Sequence, residues 1–125
     1  MNLFLDNRSG DPIYAQIYEQ IRAQIISGAL PKDTLLPSMR NLAKDLRISV
    51  ITTKRAYEEL EKEGYIHTVP GKGCFVAEIR TDLVKEESFL KIEKKMDEII
   101  SDASKAGISR EELMEMWNVM WEEKQ

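Results

Sequence analysis

Between residues 40 and 55 the chain carries Arg40, Lys44, Arg47, Lys54 and Arg55 against a single acid, Asp45. Cations gathered over so short a span suit the binding of a polyanion, because each can neutralise one fixed negative charge and release a counterion. Further on, Gly71-Lys72-Gly73 offers one more lysine at the tip of a flexible turn. That triplet is no phosphate-binding P-loop: the four-residue glycine spacing before it and the Ser/Thr after the lysine are absent. Other chemistry finds little footing. One cysteine, Cys74, and one histidine, His67, rule out an intrachain disulfide or a Cys/His zinc cluster, so neither metal nor cofactor is expected. No Ser/His/Asp set and no glycine-rich nucleotide fingerprint points to an enzyme. Cys74 reads as a buried structural thiol among β-prone residues and His67 as an ordinary strand residue.

The charge balance supports the same reading once it is divided along the chain. The net charge of −4 is made up of −1 over residues 1–30, +2 over residues 31–77 and −5 over residues 78–125. An acidic total therefore hides a locally basic segment. With 125 residues, 42% of them hydrophobic, the chain can build one ordinary core plus a small appendage. No apolar run approaches the roughly 20 residues of a membrane span, and the first residues lack a basic stretch followed by an apolar one. A soluble, cytoplasmic protein is expected.

These side chains need elements to hold them. Asp11-Pro12 predicts a helix start, with Ile13, Ile17, Ile21 and Ile25 as its four-residue stripe and Gly28 as its stop. Leu30-Pro31 and Leu36-Pro37 bracket a connector. Ser38 is the expected cap of a short second helix that buries Leu42, Ala43 and Leu46 and leaves Arg40 and Lys44 wet. After a turn at Arg47-Ile48-Ser49, Ser49 caps a third helix whose core face is Ala56, Tyr57 and Leu60. Its first turn and a half, Val50 to Lys54, is left free to touch something else. Gly64 ends it, and Tyr65 to Val69 and Cys74 to Ala77 predict a hairpin turning through Pro70-Gly71-Lys72-Gly73.

Two short helices followed by a glycine-tipped hairpin are the parts of a winged helix-turn-helix, which presents one helix to the DNA major groove and a loop to the flanking backbone. The expected fold class is mainly α with a small β-wing: a winged domain over residues 1–77, then a two-helix dimerisation hairpin over residues 78–125. In that tail, Phe89, Ile92, Met96, Ile99 and Ala103 step by three and four residues like a short heptad seam. Gly107 stops it, and Ser109 with Glu112 predicts a capping box for a last helix carrying Leu113, Met116, Trp117, Met120 and Trp121. The tail has more apolar surface than two helices can hide, so Phe89, Ile92, Met96, Ile99, Leu113, Met116, Trp117, Met120 and Trp121 are expected to pair two copies.

The Leu36-Pro37-Ser38-x-Arg40-x-Leu42-Ala43 element and the Gly71-Lys72-Gly73-Cys74-Phe75-Val76 wing resemble the DNA-binding domain of GntR-type bacterial regulators, from about Asp11 to Ala77. The short tail resembles the YtrA-like branch. The resemblance implies DNA contact by Arg40, by Ser49, Thr52 and Lys54 at the start of the third helix, and by Gly71 and Lys72 at the wing tip. Hydroxyls at a capped helix start bind phosphate well, and lysine or arginine can bond a phosphate or a guanine edge. Thr53 is set beside Thr52 as a contact of the same kind. Many members of the family place an arginine where this chain has Val50, so contact of Val50 with thymine methyl groups is expected in its stead.

The reading that results is a homodimer on an inverted-repeat operator in double-stranded DNA, blocking promoter access, with control of a neighbouring transporter operon implied by the YtrA-like resemblance. Any small-molecule effector, of unknown nature, would have to act at the hairpin or near residues 78 to 88. A winged-helix adaptor that binds protein is the alternative, and the local basic excess argues against it.

Overall fold

The computed structural model describes residues 1–124, which fall into two compact units, one spanning Met1–Arg80 and one beginning at Thr81. The first holds α1 (Ile13–Ser27), α2 (Met39–Leu46), α3 (Val50–Lys62), β1 (Ile66–Val69) and β2 (Gly73–Val76). Its core is the isoleucine stripe Ile17, Ile21 and Ile25 of α1 packed with Ala56, Tyr57 and Leu60 of α3, closed by Leu36, Leu42, Ile66 and Val76. The four-residue spacing turns all three isoleucines to one side of α1, and burying an aliphatic side chain of this size contributes about 1.5–3 kcal/mol.

The start of α1 differs from the expected one. No side chain, Asp11 included, caps α1; the first bonded N–H groups of α1, those of Ala15 and Gln16, donate to the carbonyl of Pro12. Glutamines take over nearby. Gln16 and Gln20 each both accept from and donate to the backbone of one residue, Asp6 and Phe4 respectively, and Gln24 donates to the carbonyl of Asn2. A helix rises about 6 Å in four residues and an extended chain about 6.6 Å in two, so glutamines four apart meet carbonyls two apart. The N-terminal segment is thereby laid along α1, with Leu3 and Leu5 against the core. At the other end Gly28 terminates α1 in the left-handed conformation, as its type predicts.

The wing is an antiparallel pair with Ile66 opposite Val76 and Val69 opposite Gly73. The connector before α2 adds to it: Leu35 bridges Phe75, the N–H of Leu36 donates to the carbonyl of Cys74, and Val76 donates to Thr34. Gly73 suits the position because φ is +121°, a backbone that other residues rarely adopt, and a Cβ there would also crowd Leu35 Cδ1 at 3.0 Å. Cys74 is half-buried, its Sγ 3.5 Å from Thr68 Oγ1.

One buried hydroxyl ties these parts together. Tyr57 Oη donates to the carbonyl of Pro37 at 2.7 Å, and burial holds the phenol well above its ordinary pKa, so it remains a donor. Tyr57→Phe strands that carbonyl and is expected to lower the unfolding free energy by about 1–3 kcal/mol. In urea denaturation the midpoint falls with an unchanged slope; an unmoved midpoint would show that the bond contributes nothing.

The second unit consists of α4 (Thr81–Ala106) and α5 (Arg110–Lys124), joined where Gly107 adopts φ +72°. Ser109 Oγ accepts from the N–H of Glu112 at 3.2 Å, the forward half of a capping box, while the Glu112 carboxylate meets the Ser109 hydroxyl at 3.3 Å. The two helices do not lie against each other along their length. Between them runs an apolar groove of about 580 Å³ lined by Met96, Ile99, Ile100, Leu113, Met114 and Trp117. Among the described residues of this unit only Ala103 is buried.

Candidate nucleic-acid interface

Two capped helix starts build the site. Ser38 Oγ accepts from the N–H of Asn41 at 3.1 Å, which fixes the first turn of α2 and sets Arg40 on its exposed side. Arg47 then closes α2 in the left-handed conformation, φ 57°, its N–H shared between the carbonyls of Ala43 and Lys44. A non-glycine residue there costs about 1–2 kcal/mol, and the tight turn it permits sets α3 against α2. Ser49 Oγ accepts from the N–H of Thr52 at 3.2 Å and lies 2.8 Å from Thr52 Oγ1, so two hydroxyls and the unpaired N–H groups of α3 share one end. This is a favourable place for a phosphate oxygen.

Thr53 is a correction to the expected contacts. It is 0% exposed and its hydroxyl donates to the carbonyls of Met39, at 3.0 Å, and Val50, at 2.8 Å. The reason is geometric: Thr53 lies three and four residues before Ala56 and Tyr57 and so belongs to the core stripe of α3. Its spacing carried that signal. The bond to Met39 has a use, because it pins the first residue of α2, next in sequence to Arg40, against the first turn of α3.

What α3 turns outward is a mixed stripe. Val50 is 41% exposed and Ile51, five positions before Ala56 and hence off the core face, is 79% exposed. Sequence reasoning assigned a contact to Val50 and none to Ile51, the more accessible of the two. Lys54 stands on the same side with its Nζ 3.8 Å from Glu58 Oε1, an exposed i,i+4 pair of small energetic weight. Among the described residues no salt bridge engages Arg40, Lys44, Arg47 or Arg55. Arg55, counted in the sequence only as part of the local charge, stacks on Tyr14 of α1 with Cζ 3.7 Å from the ring centroid.

The wing tip is exposed as expected. Gly71 takes φ +78°, and the N–H of Lys72 closes the turn on the carbonyl of Val69 at 2.9 Å. Glycine allows that backbone without a Cβ clash and leaves room for a close approach to a sugar-phosphate wall. The tail residues expected at an interface lie at the surface of the single chain: Phe89, Ile92, Met96, Ile99, Met116, Trp117, Met120 and Trp121 are each between 48% and 53% exposed, save Trp121 at 57%, and Leu113 is half-buried. Trp117 and Trp121 stack one turn apart with centroids 5.6 Å apart.

The family model for bacterial regulatory proteins of the gntR family matches residues 13–76. The transcriptional repressor YtrA of Bacillus subtilis (strain 168) is 35% identical over 111 residues, spanning 89% of this chain and 85% of that protein. A transcriptional antiterminator structure from Listeria monocytogenes EGD-e superposes with a TM-score of 0.70 at 30% identity, over 100% of this chain and 91% of that one. The DNA-binding domain of AraR, solved in complex with operator ORE1, aligns with a TM-score of 0.52 at 30% identity over 62% of this chain and 94% of that one.

Proposed function

Because the chain belongs to the gntR family of bacterial regulatory proteins, whose winged-helix members regulate transcription, we propose that it acts as a homodimeric repressor on an inverted-repeat operator. The observation that carries the reading is the outer face of α3: a hydroxyl-capped helix start with Val50, Ile51 and Lys54 exposed, and the start of α2, where Arg40 is exposed, tied to it by the Thr53 bond to Met39. Cations and capped N–H groups supply sequence-independent attraction, and the apolar pair fits thymine methyl groups in the major groove. Gly71 and Lys72 take the flanking backbone. Residues 1–77 are the DNA-binding part and residues 78–125 the pairing part. Acting on DNA, the protein works in the cytoplasm, and the YtrA-like resemblance extends the proposal to a neighbouring transporter operon.

Pairing rests on α5. Leu113, Met114, Met116, Trp117, Val119, Met120 and Trp121 surround most of that helix, and α4 lines only one side of the groove. A helix apolar over most of its circumference requires cover on several sides, and a second copy supplies it. Selection of bound duplexes from a random pool tests the whole reading. The enriched sites are expected to be inverted repeats whose half-site centres lie about 34–36 Å apart or a multiple of that. No salt-sensitive enrichment overturns DNA binding, and enrichment of single, unrepeated sites overturns the symmetric dimer.

A further inference from the structure

Arg55 occupies a place that the motif residues do not explain. It lies one turn after Ile51 on the outward stripe of α3, yet its guanidinium is drawn to α1: Cζ sits 3.7 Å over the Tyr14 ring and Nη2 donates to Tyr14 Oη at 3.2 Å. Tyr14 belongs to the first turn of α1, outside the helix-turn-helix, and α1 packs against α3. The stack occupies one face of the guanidinium and the phenol one of its five N–H groups, which leaves a planar cation with unused donors. Lys54 differs in both respects, being paired with Glu58 and held on a flexible stem.

We propose that Arg55 binds a DNA backbone phosphate and that Tyr14 is the positioning residue that holds its guanidinium ready for it. The inference rests on the DNA-binding reading above. A guanidinium ordered before binding loses little freedom when it meets its partner, whereas an untethered arginine must be immobilised at the interface. Anchoring to α1 also holds the cation off the axis of α3, which suits the sugar-phosphate wall better than the base edges on the groove floor.

The test uses the full-length chain and the duplex that the wild-type protein selects from a random pool, with affinity followed across a salt series. Arg55→Ala is expected to reduce the slope of log K against log salt by about 0.9 for each bound copy. Tyr14→Leu keeps apolar bulk and leaves the cation present, so affinity falls about two- to tenfold at an unchanged slope. Tyr14→Phe, which retains the ring, stays within about twofold of the wild type. The double variant Tyr14→Leu with Arg55→Ala binds no more weakly than Arg55→Ala alone, because the tyrosine acts only through the arginine. If Tyr14→Leu unfolds, Arg55→Lys carries the test: the charge and slope remain, the planar stack is lost and affinity falls. An unchanged slope in Arg55→Ala overturns the phosphate contact, and additive losses in the double variant overturn the positioning role. A wild-type chain that selects no duplex sinks the DNA reading itself, a result distinct from variants that merely match a wild type that binds.

Discussion

A chain carrying Met120→Asp and Trp121→Asp is expected to sediment as a monomer, with its affinity for the duplex selected by the wild type lowered by about 10²–10⁴-fold. Both side chains are half exposed on α5, at 51% and 57%, so in the single chain the aspartates meet water and cost little. In a paired tail they would bring charges into an apolar interface, which an unpaired carboxylate does not tolerate. Losing the pair converts one two-site event into two independent ones, and the drop in affinity is the lost effective concentration. None of the buried core of the first unit comes from α5, so its unfolding midpoint is expected to stay in place. A dimer that persists in sedimentation would move the interface away from these residues.

The second large effect concerns the recognition end. Arg40→Ala and Lys54→Ala are each expected to weaken binding by about 1–3 kcal/mol where the side chain reads a base, with discrimination relaxed at that base pair. Where the side chain neutralises a phosphate, the loss is uniform across sequences and the salt slope falls by about one. Affinity measured on matched and single-mismatch duplexes over a salt series separates the two. Both residues are exposed and lie outside the core, so protein stability should stay within about 0.5 kcal/mol of the wild type. The Glu58 pair does not change this expectation for Lys54, since an exposed i,i+4 pair is worth only about 0.3–0.5 kcal/mol. Binding and slope unaltered in both variants would remove them from the interface and leave the charge argument without its carriers.

Only Thr53, of the residues proposed to face DNA, proved to be enclosed, and the error is instructive. Thr52 and Thr53 are chemically identical, and a motif that rewards hydroxyls near a helix start does not separate them. Position does: a step of about 100° places Thr53 with Ala56, Tyr57 and Leu60 and leaves Thr52 beside the cap. The same rule turns Ile51 outward. Both assignments were legible in the spacing, once the core stripe was extended to its first member.

What the amino-acid order determined by itself was most of what is settled within about one helical turn, the Asp11 cap of α1 being the exception. The isoleucine stripe follows from the helical period, and the caps at Ser38 and Ser49, the stops at Gly28 and Gly107 and the turn at Gly71 from bonds or backbone preferences of residues no more than a few positions apart. The local excess of cations could likewise be counted. Tertiary structure alone decided the meetings across long stretches of chain: the connector on β2, the glutamines of α1 on residues 2 to 6, the Thr53 hydroxyl on Met39, and the Arg55 guanidinium on Tyr14, 41 positions away. Such contacts depend on how α1, α2 and α3 pack around one core, and no local pattern records which exposed side chain the packing brings within reach of another.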